Sequence, residues 1–295
     1  MHKVKPEFYI LCYHKISDAP INAKYPGLYV SEKVLDFHIK TLKRKGANFV
    51  TLTEFEKIYS SLYSNKFINS SKLKFYNLFN AINNFKIIKR PGLFAYLTDN
   101  LKLILAKKKM FKKKFTRKKN SKSYVIITFD DGSESVYKNA FQILKSNDIK
   151  ATIFVISDLI SGLNEWDIKN GEIADRLLSH EQIREMVEYG IEIGAHTRTH
   201  PYLTAMPPDK AYNEIIESKK NIENIFNIKV NFFAYPYGDF NAAIKKAVKK
   251  ADFLGACSTK PGIVEANADF FELHRIDMKW NTYLFKLKRL IFNRI

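Results

Sequence analysis

Cysteine is scarce in this chain of 295 residues, which contains only Cys12 and Cys257. The two lie far apart in apolar stretches, so the sequence predicts neither a disulfide framework nor a cysteine-based zinc site. Both are expected to be buried free thiols. Their number gives no reason to expect an oxidising compartment.

Long hydrophobic runs are also missing. No stretch of about 18 consecutive apolar residues occurs, so we expect no transmembrane helix. The opening Met-His-Lys-Val-Lys-Pro-Glu lacks the apolar core of a secretory signal. These observations lead us to expect a cytoplasmic protein. Hydrophobic residues form 46% of the chain, which is enough for the core of one large α/β domain.

Acidic residues are nearly absent from one segment. Residues 57–122 contain 18 lysines and arginines but a single acidic residue, Asp99, so they carry almost all of the net charge of +19. Within this segment, residues 60–122 mix lysines with aromatic and aliphatic residues, and we interpret them as a basic amphipathic helical insertion. The rest of the chain is close to neutral.

Three interpretations of this insertion are possible, and they differ in the partner that it binds. A basic segment with large apolar residues is typical of binding to an anionic membrane surface. The same composition also occurs in nucleic-acid-binding segments and in solvated insertions without a partner. Lysines far outnumber arginines and no RNA-binding signature occurs, so nucleic acid is the least favoured. We therefore expect a peripheral protein at the inner face of the membrane, with the solvated insertion as the alternative.

Two adjacent carboxylates follow a predicted buried strand. The apolar residues before Asp130 and Asp131 read as a strand, and Gly132 and a helical pattern follow them. Carboxylates at the end of a buried strand are costly unless a ligand uses them. One of the pair suits a divalent metal, which leaves the other free to act as a general base.

A second short strand, residues 191–195, runs directly into His196 and His200. Because Pro201 disfavours helix at the residue before it, we favour a loop for the two histidines. With Asp131 they make a set of two histidines and one carboxylate, which binds a divalent metal and leaves coordination positions open.

Three motifs together resemble a known family. They are Thr-Phe-Asp-Asp-Gly at 128–132, His-Thr-Arg-Thr-His at 196–200 and Phe-Ala-Tyr-Pro-Tyr-Gly at 233–238. In order and spacing they are similar to the polysaccharide deacetylases of the NodB-homology type, carbohydrate esterase family four. The resemblance covers about residues 5–55 and 123–280 and leaves out the basic insertion.

The resemblance implies an α/β fold, an irregular (β/α)7 barrel of the NodB-homology type with the basic helical insertion. The alternation of strands and helices independently predicts a parallel sheet with its site at the carboxyl ends of the strands. We therefore expect an N-terminal part of the barrel at 1–59, the insertion at 60–122 and the main part of the barrel at 123–295. Capping boxes are predicted at Thr53 and at Ser179.

The resemblance also implies roles for individual residues. A divalent metal, with Zn²⁺ the expected ion, would be held by the set of Asp131, His196 and His200, while Asp130 would be the general base. The backbone N–H of Tyr237 would stabilise the oxyanion.

The general acid is assigned through the same resemblance. Tyr13-His14 looks like the N-terminal element that carries this histidine in a rearranged subgroup, which makes His14 the general acid and His274 the reserve candidate. Trp166 is open to two interpretations, as the floor of a sugar subsite or as a packing residue.

One position departs from the family pattern. The third motif usually begins with an arginine that braces the base, and Ala234 stands there instead. Arg275, on the last predicted strand, is the candidate replacement, and an ordinary surface ion pair is the alternative for it.

The predicted function is that of a metal-dependent hydrolase that removes an N-acetyl group from an N-acetylhexosamine. Its substrate would be a polysaccharide or a lipid-linked glycan. The alternatives are an O-deacetylase and a glycan- or membrane-binding module that has lost catalysis.

Overall fold

The computed structural model describes residues 6–63 and 122–282, together with residue 287. The chain divides into a unit of residues 1–57 and 120–293 and a second unit of residues 58–119 with the two last residues. Residues 64–121, which hold most of the basic insertion, lie outside the described part, so its helical character and the proposed domain boundaries remain predictions.

Two long apolar strands lie side by side in the first unit. Strands β1 (Glu7–Tyr13) and β3 (Ser123–Phe129) pair in parallel over their whole length, and the short β2 (Ala47–Phe49) lies along the first part of β3. Side chains alternate between the two faces of a strand, and here both faces are covered. That is why both strands are apolar and buried at almost every position.

Five further strands complete a closed barrel: β4 (Thr152–Val155), β5 (Glu192–Ala195), β6 (Phe232–Ala234), β7 (Gly255–Pro261) and β8 (Leu273–Asp277). Each pairs in parallel with the next, and β8 pairs with β1. The order around the barrel is β1-β3-β4-β5-β6-β7-β8, with a register shift between β7 and β8. The expected irregular (β/α)7 barrel is confirmed.

Helix α1 (Glu32–Arg44) is followed by α2 (residues 52–63), which continues past residue 57 into the second unit. The further helices around the barrel are α3 (Phe141–Ser146), α4 (Glu165–Ile168), α5 (His180–Tyr189), α6 (Pro208–Phe226) and α7 (Ala242–Lys250). Buried residues of α1, α3, α5, α6 and α7 join the outward-facing strand residues in one hydrophobic core. None of the helices in the described ranges combines the length and apolar character that crossing a bilayer requires.

The helix boundaries test the predicted capping boxes. Ser179 and Gln182 cap α5 reciprocally, and Gly190 ends this helix in the left-handed conformation, as expected. The capping box predicted at Thr53 is wrong, because the observed box begins two residues earlier, at Thr51. Glu54 N–H donates to Thr51 Oγ1 (3.2 Å), and Thr51 N–H donates to Glu54 Oε2 (2.8 Å). The Thr53 hydroxyl instead donates to Glu192 at the start of β5.

The carboxyl ends of the parallel strands meet at one rim of the barrel. His14 follows β1, Asp130 and Asp131 follow β3, and His196 follows β5. Segments that are distant in the sequence are therefore brought together at this rim by the topology alone.

Candidate active site

Three buried side chains converge at the rim: Asp131, His196 and His200. The Nε2 atoms of the two histidines are 3.2 Å apart, and they lie 3.3 and 3.4 Å from Asp131 Oδ1. Ligand atoms about 2.0–2.1 Å from a zinc ion at tetrahedral angles are about 3.3 Å from one another. The three side chains therefore have the spacing of a tetrahedral metal site with one position left for water or substrate.

The two histidines are oriented in different ways. His196 Nδ1 donates a hydrogen bond to the Ala234 carbonyl oxygen (2.8 Å), which leaves the Nε2 lone pair for a metal. In the described part of the chain, His200 Nδ1 has no hydrogen-bond partner. Its ring is held between Trp166 and Tyr237, whose centroids are 4.6 and 4.5 Å away. Aromatic packing thus takes the place of a second hydrogen bond.

The segment of the two histidines is a loop, as Pro201 favoured. Thr197 and His200 have left-handed backbone angles (φ 65° and 63°), and the His200 N–H donates to Thr197 Oγ1 (2.9 Å). Glu214 of α6 accepts hydrogen bonds from the N–H groups of residues 198 and 199 (2.9 and 3.0 Å). This carboxylate holds the loop in its strained conformation. No sequence motif marks Glu214, so this role could not be predicted from the sequence.

Asp130 points into the barrel, where it meets Arg275. The guanidinium donates from Nη1 to Oδ1 (2.7 Å) and from Nη2 to Oδ2 (2.6 Å), and the Cys12 sulfur lies 3.6 Å from Oδ2. Arg275 Nε also donates to the Ser258 carbonyl oxygen (2.9 Å). Arg275 is only 2% exposed, so the alternative of a surface ion pair is wrong. The last strand supplies the brace that the third motif lacks at Ala234.

The electrostatics of the site favour two ionised carboxylates. Burial opposes the ionisation of Asp130, but the charge and hydrogen bonds of Arg275 outweigh it and lower the Asp130 pKa. Burial also opposes ionisation of Asp131, and the contacts with His196 and His200 keep its pKa well below the usual range. Burial lowers the pKa of His200, while the nearby carboxylates raise that of His196 against the effect of burial.

The two candidate acids lie in different places. His14 borders the same cavity as Asp130 and Asp131, and it forms a cluster with Cys12 and Asp130 whose ligand atoms lie within 4.8 Å of one another. His274 neighbours Arg275 on β8 and therefore points to the opposite face of the strand. It borders a separate cavity formed with residues 263–272. The reserve placement of His274 at the site is therefore wrong.

The loop after β6 places Tyr237 against the metal-ligand set. Tyr237 has a left-handed backbone (φ 58°), and Gly238 donates its N–H to the Tyr235 carbonyl (2.9 Å). Gly238 is itself left-handed (φ 69°), and a Cβ there would lie 1.9 Å from Thr259 Oγ1. Only glycine fits this position without displacing the loop.

The pocket above these residues has a volume of about 400 Å³. Its wall includes Trp166 and Asp167 together with His14, Asp130, Asp131, His196, His200 and Tyr237. Trp166 both packs on His200 and borders the pocket, so the two interpretations offered for it are compatible. Asp167 Oδ2 lies 4.0 Å from the buried Lys15 Nζ, and burial together with Asp131 raises the Asp167 pKa to about 6. Lys15 and Asp167 were not singled out from the sequence.

The three motifs lie in a segment that is similar to known proteins. Residues 117–256 match the family model described as polysaccharide deacetylase. This segment, which is just under half of the chain and contains all three motifs, belongs to the polysaccharide deacetylase family. Among individual relatives, the Bacillus subtilis (strain 168) protein YxkH, which is named provisionally as a polysaccharide deacetylase, is 33% identical over 159 residues, 54% of this chain and 53% of its own.

A second relative carries a more specific name. The poly-beta-1,6-N-acetyl-D-glucosamine N-deacetylase of Staphylococcus epidermidis (strain RP62A) is 30% identical over 164 residues, 52% of this chain and 54% of its own. The chain thus spans about half the length of the curated relatives it matches. Among solved structures, the Streptococcus pyogenes deacetylase PplD in complex with acetate has a TM-score of 0.67 and 22% identity, covering 98% of this chain and all of its own. This likeness shows that the two chains share a fold.

Proposed function

We propose that this polysaccharide deacetylase homologue is a metal-dependent N-deacetylase that removes the acetyl group from an N-acetylhexosamine of a glycan. The observation that carries the proposal is the tetrahedral spacing of Asp131, His196 and His200 beside a second carboxylate, Asp130, that Arg275 holds in place. Family membership supports the reaction class, and the name of the S. epidermidis relative makes β-1,6-linked N-acetylglucosamine the first substrate to test.

The metal and the base act on the attacking water in different ways. A divalent ion such as Zn²⁺, when held by Asp131, His196 and His200, polarises the acetyl carbonyl and lowers the pKa of water. Asp130 accepts the proton of the attacking water. Its lowered pKa keeps it ionised at neutral pH, and the two hydrogen bonds from Arg275 fix the direction of its oxygens.

The segments after β1 and β6 supply the groups that act on the leaving nitrogen and on the developing negative charge. The backbone N–H of Tyr237, at the turn after β6, stabilises the oxyanion of the tetrahedral species. His14 in its protonated form donates a proton to the departing nitrogen, which leaves as an amine. The cavity holding His14, Asp130 and Tyr237 is shared, which supports this division of roles.

The decisive measurement is the release of free amine from β-1,6-linked N-acetylglucosamine oligomers by the zinc-loaded protein. Asp130→Asn and His14→Ala should each lose on the order of 10²-fold or more in kcat. His274→Ala, a histidine on the other face of β8, should retain wild-type activity. A His274→Ala loss as large as that of His14→Ala would contradict the assignment of the acid.

Metal content separates this proposal from a module that has lost catalysis. We expect about one zinc per chain in the wild type and loss of zinc in Asp131→Ala.

The esterase alternative is tested by comparing acetate release from an O-acetylated and an N-acetylated oligomer, because only the N-acetylated oligomer also yields an amine. A wild type that binds zinc and releases acetate only from the ester would overturn the N-deacetylase proposal.

Residues 60–122 are proposed to bind an anionic membrane surface, which would bring the pocket to lipid-linked or envelope glycans. Their lysine-rich, aromatic composition supports this partner. The test compares sedimentation of the full chain and of a chain lacking residues 60–120 with anionic vesicles. If the shortened chain sediments equally well, the membrane partner is excluded. The expected cytoplasmic location stays a prediction.

A further inference from the structure

The residue that follows the proposed general acid is a buried lysine. Lys15 comes directly after His14 and is only 2% exposed, although lysine is rarely buried in proteins. Its Nζ donates a hydrogen bond to the Tyr29 hydroxyl (3.3 Å) and lies 3.8 Å from Asp175 Oδ2 and 4.0 Å from Asp167 Oδ2. Burial opposes the charged form, but these neighbours outweigh it and raise the Lys15 pKa. The side chain is therefore a buried cation surrounded by its own set of partners.

The partners of Lys15 belong to segments that form the active site. Asp167, on α4, borders the pocket, and its Oδ2 has no hydrogen-bond partner in the described part of the chain, so the Lys15 ammonium balances its charge. Asp175 Oδ2 also accepts a hydrogen bond from Ser133 Oγ (2.8 Å), in the loop that follows β3 and carries the two catalytic carboxylates. Lys15 thus links the segment of His14 to the pocket wall and to that loop.

The backbone of Lys15 is held by the segment that precedes α1. Its N–H donates to the Leu28 carbonyl (3.0 Å), and its carbonyl accepts from the Val30 N–H (2.9 Å). The Tyr29 ring lies below the ammonium, with its centroid 4.9 Å from Nζ. Two backbone hydrogen bonds to one segment still allow the peptide to tilt about that segment, whereas an ammonium bound to two further segments opposes the tilt. His14 is the side chain that such a tilt would move.

We propose that Lys15 is a positioning residue whose buried ammonium fixes the peptide after β1 and thereby aims His14 at the departing nitrogen. Lys15 is not among the residues that border the pocket, so it acts through His14 and not on the substrate. A general acid depends on its geometry, since a displacement of about 1 Å can cost on the order of 100-fold in rate. This inference rests on the proposed function, because His14 acts as an acid only in that reaction.

The test compares two leaving groups. An amine departs only with a proton, whereas p-nitrophenolate leaves p-nitrophenyl acetate without one. In zinc-loaded Lys15→Met, kcat for amine release from a β-1,6-linked N-acetylglucosamine oligomer should fall about ten- to a hundredfold, with KM and the hydrolysis of p-nitrophenyl acetate within about twofold of wild type. Lys24→Met is the matched control, because it removes an exposed lysine that donates to the Asn170 carbonyl, and it should keep both activities. Equal losses of Lys15→Met on the two substrates would overturn the positioning role.

A milder variant guards against a general loss of structure. Lys15→Met leaves two carboxylates without their cation, whereas Tyr29→Phe removes only the hydroxyl that accepts from Nζ. Tyr29→Phe should lower amine release about three- to tenfold and leave the hydrolysis of p-nitrophenyl acetate and the zinc content unchanged. Full amine release by both variants would show that the buried cation does not position the acid.

A spectroscopic measurement makes the test independent of turnover. The chain contains seven histidines, and the ring NMR signals of His14 are assigned by their loss in His14→Ala. These signals should shift in zinc-loaded Lys15→Met and stay in place in Lys24→Met. Unchanged His14 signals in Lys15→Met would overturn the inference. A wild type that releases no amine, but whose His14 signals shift in Lys15→Met, would refute the proposed reaction and support the positioning of His14 by Lys15.

Discussion

Removing Arg275 should expose how strongly the buried base depends on its brace. The Arg275 guanidinium and the Asp130 carboxylate are both almost fully buried and share two hydrogen bonds of 2.7 and 2.6 Å. Arg275→Met leaves the carboxylate as an unpaired buried charge, and breaking a buried pair in this way costs about 3–5 kcal/mol. Asp130→Asn leaves the guanidinium unpaired and should also destabilise.

The two substitutions should not be additive. In the double variant Arg275→Met/Asp130→Asn no unpaired charge remains, so its loss of unfolding free energy should be at least about 2 kcal/mol smaller than the sum of the single losses. The assay is urea unfolding of the four proteins at neutral pH with a chelator present, so that metal binding does not contribute. Additivity within about 0.5 kcal/mol would refute the argument that the pair is electrostatically coupled.

The pH dependence of the stability of Arg275→Met gives the sign of the coupling. In the wild type Arg275 lowers the Asp130 pKa, so the stability that this carboxylate contributes is complete above its unfolded pKa of about 3.9 and is lost as the pH falls through the lower folded value. In Arg275→Met the main influence that lowers the Asp130 pKa is gone. Burial then outweighs the weaker attraction of His196 and His14, and the folded pKa should rise above the unfolded one. The destabilisation by Arg275→Met should therefore shrink as the pH falls, because protonation removes the unpaired charge. A destabilisation that grows on acidification would contradict this reasoning.

Two further predictions concern residues around the site. Burial lowers the pKa of His38 to about 4, so between about pH 6.5 and 4 the unfolded chain binds one more proton than the folded chain. The free energy of unfolding should therefore fall by roughly 3 kcal/mol as the pH is lowered through this range. Urea unfolding of His38→Gln should lack this pH dependence, and an identical dependence would exclude His38 as its source. Gly238→Ala should cost about 1–3 kcal/mol and reduce kcat by shifting the Tyr237 N–H. Adding Thr259→Gly should recover part of the loss, since it removes the clash but not the left-handed backbone, and no recovery would show that the clash is not its cause.

The sequence could predict those features that depend on residues close together in the chain. The apolar strand before Asp130, the histidine pair before Pro201 and the capping box at Ser179 each depend on residues within one short stretch. Their spacing in the chain, combined with a parallel barrel, was sufficient to place the carboxylates and histidines at one rim.

Features that depend on distant pairs were harder to predict. Asp130 and Arg275 are 145 positions apart, and only the closed barrel shows that the arginine enters its interior. His274 and Arg275 are neighbours in sequence, but the alternation of the strand directs Arg275 to Asp130 inside the barrel and His274 to a separate cavity. Glu214 binds backbone N–H groups, which leave no trace in the sequence.

The brace on the last strand also ties activity to the way the barrel closes. Strand β8 reaches β1 over only two register pairs, Leu11 with Ile276 and Cys12 with Asp277, and the Met278 N–H donates to the Cys12 carbonyl beyond them (2.9 Å). A brief separation of this seam would withdraw Arg275 from Asp130, whereas the proposed metal ligands follow β3 and β5, which lie outside the seam. Amide exchange at residues 276–278 would therefore report the fraction of molecules that hold a complete catalytic set, and the lifetime of that seam sets an upper limit on how long the site remains assembled.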